Sequence, residues 1–315
     1  MPALIAIDAA RFGAALAAWG QTIDRGDAAT VRYQVALSRL PWAHRHRRLV
    51  ALADEHGTVL AAAARHELRG RLEGAPVRVC VISEIAAAGE PATGHAAHLI
   101  DGLVQEATTQ GFDVVVVLGT LPRGTARRFA SVDTTLLTLR VNESPRRGAP
   151  MAPVRSGERR DMALIAAIPP WGRERRGLQL ERDDEYVDFL TTRRRVHAGL
   201  APEGLRQVAF LVVEEGMRPA AYLMMTISGQ DWVVEYCGDH DPAGARVGAI
   251  LQTLIAREPA ERRPAITAWF PDDIVPPQVT VLSSETVPDR VWICPLAASA
   301  WSSAPGVSLW RGDLP

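Results

Sequence analysis

The residues with the clearest chemical meaning lie between Val79 and Leu118, VCVISEIAAAGEPATGHAAHLIDGLVQEATTQGFDVVVVL. An apolar, β-branched run over Val79–Ile85 leads into a loop of small residues. A helix is expected over 94–109 and a second buried strand over 113–118. A helix that starts on such a loop presents backbone N–H groups and the positive end of its dipole, which makes a seat for a phosphorylated ligand. Ala92, Gly94, Ala96 and Ala97 are small enough to let that ligand approach the backbone. A dinucleotide fingerprint would need G-x-G-x-x-G inside a βαβ unit. The segment reads G-E-P-A-T-G-H-A and follows hairpins, so that reading is the weaker one.

Two further clusters carry charge. Asp239, His240 and Asp241 form the most metal-like group, but neighbours on one loop seldom converge on an ion, and Asp241-Pro242 is a common turn opener; a turn is expected and no metal. Arg193, Arg194 and Arg195 with His197 close a helix expected over Asp183–Arg195. Cations there complement the dipole, and the other reading is a contact for a phosphate or an acidic acceptor.

The elements that position these residues fall into two similar series. In the first, helices are expected over 7–19 and 27–40, the latter capped by Asp27. Strands follow over Leu49–Ala53 and Val59–His66 around a turn at His56-Gly57. A longer turn over Arg69–Pro76 leads to the strand at 77–85, and Thr134–Val141 is a further strand. Residues 143–159, with Pro, Gly and charge but no period, read as a linker. The second series runs from a helix over Arg160–Ile168 and the one over Asp183–Arg195 to strands at Gln207–Glu214, Ala220–Ile227 and Trp232–Tyr236. A glycine-bearing loop, a helix near Arg246–Arg257, and strands at Ala265–Phe270, Val279–Leu282 and Val291–Cys294 complete it. The expectation is an α/β chain with mixed sheets, in two similar domains at 1–142 and 160–315.

Composition sets limits. The 315 residues are 47% apolar and 23% charged, enough for real cores. The net charge of −1 disfavours nucleic-acid binding. Every cation among the 35 basic residues is arginine, and the eight tryptophans are expected mostly in packing. Three scattered cysteines without a C-x-x-C pair, no signal pattern and no apolar run of membrane-spanning length point to a cytoplasmic protein that uses neither disulfides nor a membrane.

On these residues the first half resembles the GNAT N-acetyltransferase superfamily. In that family a strand splays from its parallel neighbour, acyl-CoA lies in the V-shaped gap, and a Q/R-x-x-G-x-G/A loop holds the pyrophosphate. Here the signature aligns with Pro91-Ala92-Thr93-Gly94-His95-Ala96; Gly94 and Ala96 fit it, and Pro91 stands where a cation or amide is usual. The resemblance implies acetyl-CoA held along Ile85, Ala86, Thr93, Gly94, His95, Ala96 and Ala97. It also implies Glu84 as the base for an amine acceptor, a small molecule or a peptide, with His66 and Glu67 as weaker choices. The tyrosine that many relatives carry after the second strand is missing, and Phe129 cannot donate a proton. The second half also looks GNAT-like, but Asp239 and Asp241 fall where phosphates would sit and would repel them, so it is not expected to bind CoA. A non-catalytic acyl-CoA-binding or protein-interaction module is the alternative, and a homodimer is left open.

Overall fold

The computed structural model describes residues 2–23, 26–89, 94–122, 125–142, 153–168, 177–201, 205–259, 261, 263–270, 275–296 and 314–315, without the side chains of 126, 127, 133, 134 and 287–290. The first half contains strands β1 (Ala3–Ala6), β2 (Arg47–Ala53), β3 (Val59–Leu72), β4 (Ala75–Ala87), β5 (Val114–Leu118) and β6 (Ala130–Val141). Its helices are α1 (Ala9–Ala18), α2 (Asp27–Ser38), α3 (Pro41–His46) and α4 (His95–Thr109). The second half contains β7 (Val154–Ser156), α5 (Met162–Ala167), β8 (Leu178–Leu180), α6 (Asp184–Leu200), β9 (Gln207–Glu215), β10 (Arg218–Ser228), β11 (Asp231–Asp239), α7 (Ala245–Ile255), β12 (Ala265–Ala268) and β13 (Val279–Pro295).

Local chemistry explains most boundaries. Asp8 caps α1 by accepting from the Arg11 N–H at 2.8 Å, and Asp54 folds the β2–β3 turn by accepting from the N–H groups of His56 and Thr58. Several expectations are corrected. The cap of α2 is Gly26, and Asp27 is its first helical residue, where a carboxylate still complements the dipole. The turn placed at 69–76 is a tight one at Glu73-Gly74, both with positive φ, matching the twist of a two-residue hairpin. Part of the segment read as linker is β7, hydrogen-bonded to β9. The two short strands read at 279–282 and 291–294 are one element, β13. The short β1, α3 and β8 carry too few residues to show a period.

The strands form one hydrogen-bonded series, β1-β2-β3-β4-β5-β13-β6-β12-β11-β10-β9-β7, with β8 attached to β3. Its centre is an exchange. The first-half strand β5 is flanked by β13 from the end of the second half, and the second-half strand β12 is flanked by β6 from the first. The strands β6 and β13 themselves pair from Val279↔Val141 to Ile293↔Ala130. The halves expected at 1–142 and 160–315 are therefore joined through shared strands rather than only through a connecting segment.

Apolar packing follows the pleat. On one face of the first half, Cys80, Ile82, Val115 and Val117 meet Leu99, Ile100 and Leu103 of α4. On the corresponding face of the second half, Leu223, Met225 and Val234 meet Val247, Ile250 and Leu251 of α7. The opposite faces share one cluster in which Val79, Val81, Val114 and Val116 lie with Tyr186, Leu190, Tyr222 and Tyr236. Trp42 of α3 joins it, 4.6 Å from Phe189 and 4.7 Å from Tyr186, ring to ring. A strand buried on both faces has to be an unbroken apolar run, which is why 114–118 reads VVVVL.

Candidate functional site

Strands β4 and β5 run parallel only from Val79↔Val114 to Ile82↔Val117. Beyond that, β5 ends at Leu118 while β4 continues to Ala87, paired to β3. The β3–β4 register slips by one residue between Ala62↔Ala86 and Ala64↔Ser83, so Glu84 and Ile85 oppose the single Ala63. This is a β-bulge, and Glu84 within it has φ +53°, uncommon for a residue with a Cβ. A bulge bends and re-aims its strand, and here it stands where the two parallel strands part.

The Glu84 carboxylate is held by two elements. It accepts from Gln34 Nε2 of α2 at 2.7 Å and from Arg47 Nη2 of β2 at 2.5 Å, and Arg47 Nη2 also donates to Gln34 Oε1 at 2.6 Å. Burial pushes the Glu84 carboxyl up, but the Arg47 charge and the hydrogen bonds from Gln34 and Arg47 outweigh it and hold the group below the usual carboxylate range. The carboxylate is thus ionised and anchored, with 29% of its side chain exposed.

At the other end of the loop, Gly94 precedes α4 in the left-handed conformation (φ 67°, ψ 12°), and as the cap residue it brings no side chain to the helix terminus. His95, Ala96 and Ala97 form its first turn; Thr93, Ala92 and Pro91 lie outside the described residues. Ile85 packs toward α4 and Ala86 is buried against α1. The second half repeats this plan with Gly244 (φ 65°, ψ 27°) before α7. There Asp239 fills the helix terminus, its carboxylate accepting from the N–H groups of Asp241, Arg246 and Val247 and from Arg246 Nη1. Asp241 shapes the loop as an Asx turn, accepting from Ala243 N–H at 3.0 Å, so the Asp239–Asp241 cluster serves the backbone.

On the face of the sheet away from α4, a cavity of about 420 Å³ begins at Leu118 and Gly119, where β5 stops. Tyr33 of α2, Arg193, Arg194 and His197 of α6, Arg206, and Glu235 of β11 also line it. Glu235 occupies the bulge of the second half, between Met224↔Tyr236 and Met225↔Val234, and so corresponds to Glu84. Burial raises the pKa of the Tyr33 hydroxyl, with opposing contributions from Arg193, Arg47 and Arg194, so it stays protonated beyond the usual tyrosine range. The helix expected to end at Arg195 continues to Leu200, so the arginines lie before its last turn and do not serve its dipole; Arg193 and Arg194 line the cavity, and Arg195 lies over the Phe210 ring. His66 is buried, 3.0 Å from Ser83 Oγ, and Glu67 pairs with Arg65, so neither faces this cavity.

Sequence reasoning missed Tyr33, Arg206 and Glu235. Buried Gln34 beside Tyr33 was the available signal, since a polar side chain on an inward helix position needs a partner. Each of the three cysteines is buried; burial pushes the Cys80 thiol to about 12, and Cys237 and Cys294 are also raised, so none is an activated nucleophile.

No protein-family model and no curated protein matches the sequence. Solved structures do match. A GCN5-related N-acetyltransferase from Anabaena variabilis ATCC 29413 has a TM-score of 0.63 at 12% identity, over 92% of this chain and 71% of that one. A GCN5-related N-acetyltransferase from Kribbella flavida has 0.63 at 16%, over 95% and 72%. A conserved protein of unknown function from Enterococcus faecalis V583, a probable N-acyltransferase, has 0.66 at 8%, over 95% and 74%. At these identities the likeness is one of architecture, and the fold of this chain is that of the GCN5-related N-acetyltransferases.

Proposed function

We propose that the protein transfers an acetyl group from acetyl-CoA to an amine, with the donor held by the first half. The observation that carries this is the parting of β4 and β5 after Ile82↔Val117, between the glycine-led start of α4 and the cavity lined by Tyr33. The residues present suit such a donor. Gly94, Ala96 and Ala97 offer backbone without bulk at the start of α4. Thr93, His95, Ile85 and Ala86 complete the stretch assigned to the donor. Acetyl-CoA supplies an activated thioester whose carbonyl carbon the amine nitrogen attacks; the C–S bond breaks, the thiolate takes a proton and the nitrogen gives one up.

The chain's own groups divide that proton work. In this reading Tyr33, kept protonated, gives a proton to the leaving thiolate, and Glu84 accepts one from the nitrogen as the C–N bond forms. A carboxylate held below its usual range removes a proton poorly from a free ammonium group, so the acceptor must react through its neutral fraction. With no activated thiol, direct transfer is favoured over an acyl-enzyme.

The test is a thermal-shift titration with CoA and acetyl-CoA, followed by a free-thiol release assay across an amine panel. Stabilisation by both ligands and amine-dependent thiol release are expected. Stabilisation without release would leave the non-catalytic binding role, and no stabilisation would remove both.

A further inference from the structure

Arg193 and Arg194 are adjacent on α6, and His197 follows them at helical spacing, so all three reach one face. Arg206 joins them, its Nη1 3.3 Å from His197 Nε2. These groups surround a cavity whose described lining also includes the Glu235 carboxylate and, beside the arginines, Leu314 and Pro315. Among the described residues neither Arg193 nor Arg194 meets a carboxylate within salt-bridge distance. Arg193 Nη2 reaches the Leu314 carbonyl at 3.4 Å; Arg194 Nη1 donates to the Leu190 carbonyl at 3.0 Å, with its guanidinium 6.0 Å from the Tyr236 ring centre. Two neighbouring guanidinium groups in partly desolvated surroundings repel each other, and Glu235 acts on Arg194 only through space. The mutual repulsion of neighbouring guanidinium groups is relieved by an anion bound between them, and the planar guanidinium fork matches carboxylate and phosphate oxygens.

We infer that the acceptor is an amine that also carries an anionic group, a carboxylate or a phosphate, bound by Arg193, Arg194 and Arg206. This rests on the transfer reading above for the amine, while the anion site rests on the cavity alone. A volume of about 420 Å³ suits a small metabolite rather than a folded partner. Polyamines and other polycations are excluded by the same charges.

The experiment compares matched pairs in the thiol-release assay: O-phosphoethanolamine with ethanolamine, β-alanine with β-alaninamide, and spermidine as the polycation. Within at least one pair the anionic member is expected to show kcat/KM higher by about 10-fold to 100-fold, the scale of a charge-assisted contact. The pair with the larger ratio identifies phosphate or carboxylate. Arg206→Gln and Arg194→Met are expected to lower that ratio toward unity. Arg206→Gln keeps the test decisive if the more enclosed Arg194→Met fails to fold. Calorimetry with O-phosphoethanolamine and β-alanine, without acetyl-CoA, reads the anion site independently of turnover. Turnover of ethanolamine, β-alaninamide or spermidine at or above the anionic compounds overturns the inference and leaves the transfer reading intact. No thiol release from any amine, with binding of an anionic compound that Arg206→Gln abolishes, removes the transfer reading and retains the anion site. Neither release nor binding overturns both.

Discussion

In the first half β4 and β5 pair in parallel over four residues, a bulge carrying Glu84 follows, and α4 starts on left-handed Gly94. In the second half β11 and β12 pair in parallel over four residues, a bulge carrying Glu235 follows, and α7 starts on left-handed Gly244. The backbones agree, and the difference lies in what meets the helix terminus. Asp239 gives α7 a carboxylate from its own chain, whereas Ala88, at the same distance after Glu84 as Asp239 is after Glu235, carries none. An anion seat comes with a helix start, but it serves a ligand only where the protein has not filled it itself. The bulge glutamates diverge similarly: Glu84 is tied to Arg47 and Gln34, while Glu235 lines the cavity.

Four substitutions break or sharpen this contrast. The largest effect is expected from Tyr33→Phe, which removes the hydroxyl proposed as the acid. Its kcat should fall about 100-fold or more, in the range of general acid catalysis, with CoA affinity kept. Unchanged kcat would return the proton to solvent. Next, Ala97→Glu gives α4 the kind of carboxylate that α7 already has. Acetyl-CoA should bind on the order of 100-fold more weakly while the melting temperature holds or rises, because an acid in the first turn favours the helix and repels phosphate.

Asp239→Ala is the reverse operation. Three backbone N–H groups and Arg246 lose their acceptor, so chemical denaturation should show a loss of about 2 kcal/mol, with CoA affinity unaltered. The smallest effect on stability concerns the first bulge. The folded-state pKa of Glu84 is depressed, so its contribution is present above the unfolded pKa and lost as pH falls through the folded one. Glu84→Gln should flatten the acid limb of stability below about pH 4, by on the order of 1 kcal/mol for a partly exposed pair. Above that range Glu84 no longer titrates, so the rise of kcat/KM near neutral pH should follow the pKa of whichever amine is supplied.

The strand–loop–helix unit was legible because each part is local: β-branched runs, a small-residue loop, a helical period and a glycine. Asp239 was also read as hostile to phosphate, though repulsion was the reason given; the structure adds that its carboxylate caps α7. What stayed hidden depends on distant parts of the chain. Tyr33 and Gln34 reach the gap from α2, Gln34 bonding to a residue 50 positions away. The exchange of β6 and β13 cannot be seen in either strand, since alternation shows that a strand exists and not which edge it joins. Arg193, Arg194 and His197 were singled out, but a cation on a helix looks the same in sequence whether it faces bulk water or a cavity.

The difference between the two helix termini is tested most directly by isothermal titration of acetyl-CoA into the intact chain, into Asp239→Ala and into Ala97→Glu. One site per chain is expected in the first two proteins and a weakened or missing site in the third. Two sites per chain, or binding lost with Asp239→Ala and kept with Ala97→Glu, would contradict the assignment of the donor to the first half.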